Sequence, residues 1–283
     1  MSIAIELTGR TILVCGVARG GIGGATARQV AAAGAVVVAV DYSQQIIDET
    51  IADIELQGGR CYGIVADLLE PAQTDTIVEK ALTLTGRLDG VANVAGGTRP
   101  DEWLPLEKTS TEMFRGTLNL NLEYVFRVCR DAAVSMIERG VPGSIVNVGS
   151  VSSLTSAPFH GPYGAAKSGI QALTKTMAFE WGKYGIRANT VSPGAVPTAR
   201  VMNRVVSTSS AQADAGSSAS SGIVFTTMEE MANMIVFLLS DLASGVSGQH
   251  ISVDSALSTK FCGGTLPLEV KKAEPVVFGA NAN

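Results

Sequence analysis

Seven short apolar runs recur along the chain, and longer amphipathic stretches separate them. The runs are Thr11–Cys15, Val36–Val40, Cys61–Ala66, Leu88–Asn93, Ser144–Val148, Ile186–Val191 and His250–Val253. Several are apolar throughout, as strands buried on both faces should be. The intervening periodicity predicts helices at about Ile22–Ala33, Ser43–Gln57, Pro71–Thr85, Thr111–Arg139, Tyr163–Tyr184 and Thr227–Ser240. Gly34, Gly58, Gly86, Gly140 and Gly185 follow five of these helices, where a left-handed cap is expected. Such alternation implies an α/β fold: a doubly wound parallel sheet of about seven strands, helices on both faces, in three α/β/α layers.

The totals agree with one domain. Of 283 residues, 46% are hydrophobic and 17% charged, so a large core can be buried. We expect a single domain over residues 1–256. The stretch Ser207–Gly222 is small, polar and aperiodic, and marks residues 197–226 as a loop or lid before the last helix. Residues 257–283 read as an irregular C-terminal tail. A net charge of −5 without a Lys/Arg cluster argues against nucleic acid as partner. Cys15, Cys61, Cys129 and Cys262 are scattered, and His160 and His250 lie far from any cysteine pair, so no metal site is expected. MSIAIELTGR lacks the pattern of a signal peptide, and no apolar run approaches the ~20 residues needed to span a bilayer. These features predict a soluble cytoplasmic protein.

Val17–Ala27, VARGGIGGATA, follows the first strand. In a parallel sheet this turn lies at the carboxyl edge, where ligands bind. Bare backbone there is either a plain turn or a phosphate cradle, since glycine lets a pyrophosphate approach the N–H groups of a helix N-terminus. Asp41 ends the second strand, about 20 residues past the loop, where a carboxylate can bind ribose hydroxyls and repel a 2′-phosphate. It argues for NAD over NADP. Arg19 pulls the other way if it pairs with a 2′-phosphate, and is otherwise solvated. Asp67 ends the third strand, with Leu68 beside it, and could accept from an adenine amino group. Asn93-Val94-Ala95-Gly96 ends the fourth, again at the ligand edge.

Tyr163 and Lys167 are four apart in GPYGAAKSG and so share a helix face. An ammonium beside a phenol favours the phenolate, which suits a general base for alcohol oxidation. With this pair the chain resembles the short-chain dehydrogenase/reductase family, in its common branch of Rossmann-like, nicotinamide-dependent enzymes, from about Leu7 to Asp254. The resemblance implies that Tyr163 is the catalytic acid/base and that Lys167 binds the nicotinamide ribose and lowers the tyrosine pKa. It implies that Ser150, in NVGS, hydrogen-bonds the substrate oxygen. Asn121, with Asn119 as near rival, would hold a proton-relay water. Gly16, Arg19, Gly21, Ile22, Gly23, Asp41, Asp67, Leu68, Asn93, Ala95 and Gly96 would line the cofactor. Pro193, Gly194, Val196 and Thr198 would lie beside its nicotinamide. A homotetramer through the two longest helices is also implied.

Two departures stand out. The family's glycine motif, TGxxxGxG, carries one added residue here, most economically Gly20, because glycine can adopt positive φ. The family's closing Asp-Gly-Gly is Asp254-Ser255-Ala256. The implied reaction is reversible, NAD-dependent hydride transfer between an uncharged, cyclic or aromatic secondary alcohol and its ketone. Val201, Met202, Val205, Val206, Ile223, Val224 and Phe225 of the lid, with Phe159 and Gly97–Trp103, would supply apolar walls. Arg200 and Arg204 leave an acidic group open; His160, three residues before Tyr163, could reach the pocket but reads first as a surface or capping residue. An NADPH-dependent 3-oxoacyl-carrier-protein or carbonyl reductase ranks below, because Phe179 stands where such carrier-protein reductases commonly have arginine. A non-catalytic nucleotide-binding regulator ranks last, because Asn121, Ser150, Tyr163 and Lys167 are all intact.

Overall fold

A computed structural model of the protein describes residues 4–198 and 225–259. All seven expected strands form: β1 (Thr11–Cys15), β2 (Val36–Asp41), β3 (Arg60–Val65), β4 (Gly90–Asn93), β5 (Gly143–Val148), β6 (Ile186–Pro193) and β7 (His250–Val253). They pair in parallel in the order β3-β2-β1-β4-β5-β6-β7. The winding reverses between β1 and β4, which opens a crevice at their carboxyl ends. Valine-rich β2 is apolar on both faces because helices cover both. On one face Leu13, Cys15, Val91 and Ile145 pack against Tyr124, Val128, Cys129 and Ile170. On the other, Ile12, Val14, Ala92 and Val146 share a core with Val30, Met231, Ile235 and Leu239.

The helices are α1 (Ile22–Ala32), α2 (Gln44–Leu56), α3 (Pro71–Thr74), α4 (Ile77–Thr85), α5 (Thr111–Leu118), α6 (Tyr124–Arg139), α7 (Gly161–Trp181) and α8 (Met228–Leu239). All five expected helix-ending glycines are left-handed, with φ between 64° at Gly140 and 92° at Gly34. The stretch expected as one helix over Pro71–Thr85 breaks at Asp75–Thr76. There the Thr74 hydroxyl donates to the Leu68 and Glu70 carbonyls, and that of Thr76 donates to Gln73, diverting acceptors the ladder would use. The long helix Thr111–Arg139 is interrupted by one π-turn at Asn119–Glu123. A capping box between Thr227 and Glu230 starts α8.

The base of the expected lid is closed by the Thr226 N–H, which donates to the Ala195 carbonyl at 2.9 Å. Positions 199–224 of the lid and 260–283 of the tail lie outside the described residues. Of the named lid residues, only Thr198 and Phe225 fall within them.

After β7 the chain turns through two left-handed residues, Ser255 at φ 49° and Ala256 at φ 65°. The Asp254 carboxylate holds that turn by accepting from the Ala256 N–H at 3.1 Å and the Ser258 N–H at 2.8 Å. A left-handed alanine costs ~1–2 kcal/mol, more than glycine loses in unfolded-state entropy. Ala256→Gly should therefore stabilise the protein by about 0.5–1 kcal/mol and raise Tm by ~2 °C, which calorimetry would read. A fall in Tm would contradict the strain assigned to this turn.

Candidate active site

The loop from β1 into α1 lines the crevice. Gly16 has φ 86°, and a Cβ there would lie 2.7 Å from that of Ala95. A Cβ on Gly23 would fall 1.6 Å from the Gly16 carbonyl oxygen. Side chains are thus excluded from both, and a cradle of bare backbone follows, with Gly21 and Ile22 at the mouth of α1. Gly20 does not use the positive φ that glycine can adopt. The added residue sits in an exposed turn, closed by the Gly21 N–H donating to the Ala18 carbonyl at 3.0 Å, with open space around Gly20.

Asp41 is buried at the end of β2. Its two carboxylate oxygens accept from the Val17 and Tyr42 N–H groups, each at 2.9 Å. The carboxylate is thereby fixed beside the glycine loop. Arg19 points away from it and pairs with Asp53 of α2 at 3.2 Å. Asp67 accepts from the Leu69 N–H at 2.9 Å, and Leu68 is buried beneath it. The cradle, the anchored carboxylate and the Asp67 turn fit a dinucleotide.

Asn93 departs from its expected place. Its side chain turns into the core, where Nδ2 donates to Asn147 Oδ1 at 2.9 Å, so it joins β4 to β5 rather than facing a ligand. The ligand edge is built instead by Ala95 and Gly96. The Val94 and Ala95 N–H groups both donate to the Cys15 carbonyl, and Tyr124 Oη donates to the Ala95 carbonyl at 2.7 Å. The Cys15 thiol is pushed up by burial and is inert there.

The candidate catalytic residues come from three elements. Ser150 follows β5, and its Oγ accepts from the Ser152 N–H at 3.1 Å, which leaves its own proton to donate. Tyr163 and Lys167 lie on α7, with the lysine Nζ 5.6 Å from the phenol ring centre. Lys167 Nζ donates to the Val148 carbonyl at 2.9 Å, and burial draws its pKa down to about 7. Asn121 is fully buried in the π-turn. Its Oδ1 accepts from the Gly97 N–H at 2.7 Å, and its Nδ2 donates to the Gly97 and Thr117 carbonyls. Its side-chain amide thereby holds the loop after β4. Asn119, the rival, donates instead to the Leu69 carbonyl. A Cβ on Gly96 would press on both Asn121 Oδ1 and Lys167 Nζ.

On the substrate side, His160 departs from the surface or capping part expected of it. It occupies the N-cap position of α7, but its ring does not cap. The ring stacks on Trp103, with centres 4.0 Å apart, and lies 5.8 Å from the Tyr163 ring. Trp103 donates to Thr98 Oγ1 at 2.8 Å, and His160 contacts the Pro158 carbonyl and Ser152 Oγ. No sequence motif announced this pairing. Pro193 and Gly194 end β6, where a Cβ on Gly194 would lie 2.8 Å from that of Asp254. Val196 is buried, and the Thr198 N–H donates to the Val196 carbonyl at 2.7 Å.

Residues 16–258 match a family model described as enoyl-(acyl carrier protein) reductase. The chain is 34% identical over 253 residues to the 2,5-dichloro-2,5-cyclohexadiene-1,4-diol dehydrogenase of Sphingobium indicum B90A, covering 89% of this chain and 98% of that one. It is 35% identical over 256 residues to a 3-oxoacyl-(acyl-carrier-protein) reductase of Thermotoga maritima, covering 89% and 99%. A short-chain type dehydrogenase/reductase from Mycobacterium ulcerans superposes with a TM-score of 0.80 at 31% identity, covering 90% and 92%. The chain belongs to the short-chain dehydrogenase/reductase family and is an oxidoreductase of that kind. Among the described residues, no helix is long and apolar enough to cross a membrane.

The lowered pKa of Lys167 makes its burial a cost to folding. The unfolded lysine keeps its proton up to about 10.5 and the folded one only to about 7. Between these values the unfolded chain binds more protons, so stability rises with pH. The penalty is full below pH 7. Lys167→Met should therefore abolish turnover yet raise the Tm of the protein without cofactor by several degrees at pH 6–7. That advantage should shrink as pH rises towards 10.5. An unchanged or lower Tm at pH 6 would contradict it.

Proposed function

We propose that the protein is an NAD-dependent dehydrogenase acting reversibly on an uncharged, cyclic or aromatic secondary alcohol and its ketone. The observation that carries this reading is the Trp103–His160 stack, whose histidine ring lies 5.8 Å from that of Tyr163. Two flat rings pinned by hydrogen bonds make a rigid, largely apolar wall that suits a flat substrate ring. The likeness to a cyclic-diol dehydrogenase accords with it. Asp41 supports NAD, because a buried, anchored carboxylate can accept ribose hydroxyls and would repel a 2′-phosphate. Arg19, the residue that could have favoured the phosphate, is engaged by Asp53.

When bound, the nicotinamide accepts hydride from the carbinol carbon in oxidation and returns it in reduction. Tyr163 takes the hydroxyl proton, and Ser150 donates to the substrate oxygen and stabilises its charge. The Tyr163 phenolate and the Lys167 ammonium favour each other, so the two titrate as a pair. A lysine drawn to about 7 can also pass a proton on near neutral pH. Asn121 keeps Gly97, and with it Gly96, against the lysine.

A homotetramer through α5–α6 and α7 belongs to the same reading. Phe126 and Val134 of α6 and Phe179 of α7 support it by exposing 44%, 48% and 89% of their surface. Light scattering on the purified protein should give four chains, and a monomer would sink that part.

The function is tested by cofactor affinity followed by a substrate panel. NADH should bind at least ~10-fold more tightly than NADPH, and Asp41→Asn should narrow the difference. Cyclohexanol and 1-phenylethanol should outperform 2-hexanol in kcat/KM by about 10-fold, an advantage that Trp103→Ala should erase. Preference for NADPH would overturn the cofactor assignment and bring the 3-oxoacyl reductase reading forward.

A further inference from the structure

The chain has two histidines, and the chemistry above uses only His160. His250 opens β7, half-buried and opposite Thr190 of β6. Its Nε2 lies 2.6 Å from Ser192 Oγ and 3.4 Å from Gln171 Nε2. Gln171 Nε2 also donates to Ser153 Oγ, and Ser153 Oγ donates to the Ser150 carbonyl. One hydrogen-bonded line thus joins the last turn of β6 to the backbone of the Ser150 loop, across α7.

The polarity of this line is set from its Ser150 end. A carbonyl oxygen can only accept, so the Ser153 hydroxyl donates to it and must accept from Gln171. That requirement places the amide nitrogen of Gln171, not its oxygen, at the contact. Its second hydrogen is then available to His250 Nε2, which must offer a lone pair. The Ser192 hydroxyl, closer at 2.6 Å, donates to the same single lone pair, so the two donors share it as a three-centre bond and the 3.4 Å Gln171 contact is the weaker arm. His250 is therefore the neutral tautomer with its proton on Nδ1. Burial, and then the charge of Lys175 one turn further along α7, lower its pKa and favour the same state. The neighbouring β6 positions Thr190 and Ser192 carry no charge, and Glu229 and Glu230, the charged residues of α8, lie in its first turn. Asp254 follows β7 and is engaged with the Ala256 and Ser258 N–H groups. Among the described residues no carboxylate pairs with His250.

We propose that His250 is a positioning residue of the active site: as a neutral acceptor whose single Nε2 lone pair is shared by the Ser192 hydroxyl and, at longer range, the Gln171 N–H, it ties the end of β6, which runs into Pro193–Gly194, to the loop that presents Ser150. The inference rests on the proposed parts of Ser150 as donor to the substrate and of Pro193–Gly194 as the segment beside the nicotinamide. Protonation of Nε2 turns the acceptor into a donor facing the Gln171 N–H, and the line breaks at that point. Low pH then loosens the nicotinamide segment while leaving Tyr163, Lys167 and Asp41 in place.

Two histidines make the test direct. In 15N-histidine-labelled protein without cofactor, long-range 1H–15N correlation reads the tautomer of each ring, and His250→Gln assigns them. We expect His250 to carry its proton on Nδ1 at pH 7.5 and to gain the second one below its ordinary value of 6.5. An Nε2–H tautomer, or an imidazolium at pH 7, would overturn the proposal without touching the functional reading. Affinity for NADH and NADPH is then measured at pH 7.5 and pH 5.5 in wild type and His250→Gln. The glutamine oxygen can accept from both donors but does not titrate. The nucleotide that binds should weaken by about 5-fold more at pH 5.5 in wild type than in the variant. Equal pH dependence would also overturn it. If neither nucleotide binds, the functional reading fails, and the tautomer measurement still decides whether this line of hydrogen bonds exists.

Discussion

A ladder of buried polar side chains crosses the sheet just below the carboxyl ends of its strands. Asn93, Asn147 and Thr190 lie opposite one another on β4, β5 and β6. Asn93 donates to Asn147, Asn147 donates to Thr174 of α7 at 3.1 Å, and Thr190 bonds the same threonine at 2.9 Å. Each group is fully or almost fully buried, so losing one partner would cost far more than the ~1 kcal/mol that an ordinary hydrogen bond contributes. The ladder sets where α7 sits along β5. Every catalytic distance depends on that setting, because Tyr163 and Lys167 ride on α7 while Ser150 and the Val148 carbonyl ride on β5. A slip of one helical residue would move Lys167 by about 1.5 Å along the helix axis, enough to break its bond to Val148.

This dependence explains what was legible in the sequence. The seven strands and the helix-ending glycines follow from burial and from left-handed capping, both local and strongly patterned. Tyr163, Lys167 and Ser150 could be picked out as candidates by spacing, and the structure brings Lys167 of α7 against the end of β5, which Ser150 follows. The inward turn of the Asn93 side chain was not legible, because a position at a strand end says nothing about which sheet face the side chain takes. Its partner Asn147 is 54 residues away, and only the register of β4 on β5 brings the two together. The Trp103–His160 stack and the His250 line fail to show for the same reason. Their members come from separate loops and strands whose approach is a property of the sheet order.

The glycine loop shows a different limit. Its function depends on which positions exclude a side chain, and Gly16 and Gly23 do so by direct contact with neighbouring backbone or Cβ atoms. The added Gly20 meets nothing, so the extra residue is absorbed in solvent and leaves the cradle intact. Its conformation needs no positive φ, and a larger residue would fit there. Arg19 beside it pairs with Asp53, a largely solvated contact of small energetic worth.

The two halves of the site therefore rest on different foundations. The candidate cofactor half rests on the glycine loop and Asp41, held by β1, β2 and α1, with the Asp67 turn after β3 and Ala95–Gly96 after β4 beside them. The catalytic half carries an internal conflict: Lys167 must be charged to favour a phenolate, yet burial drives it towards neutrality. Folding alone cannot resolve that conflict in favour of the charge, since nothing among its described partners is anionic. Its recorded hydrogen bond goes to a neutral carbonyl. The charged form gains its counter-charge only when Tyr163 gives up its proton. On the proposed roles of Tyr163 and Lys167, the lysine proton is coupled to the chemical step, and the stability lost by burying a lysine beside bare backbone would follow from that coupling.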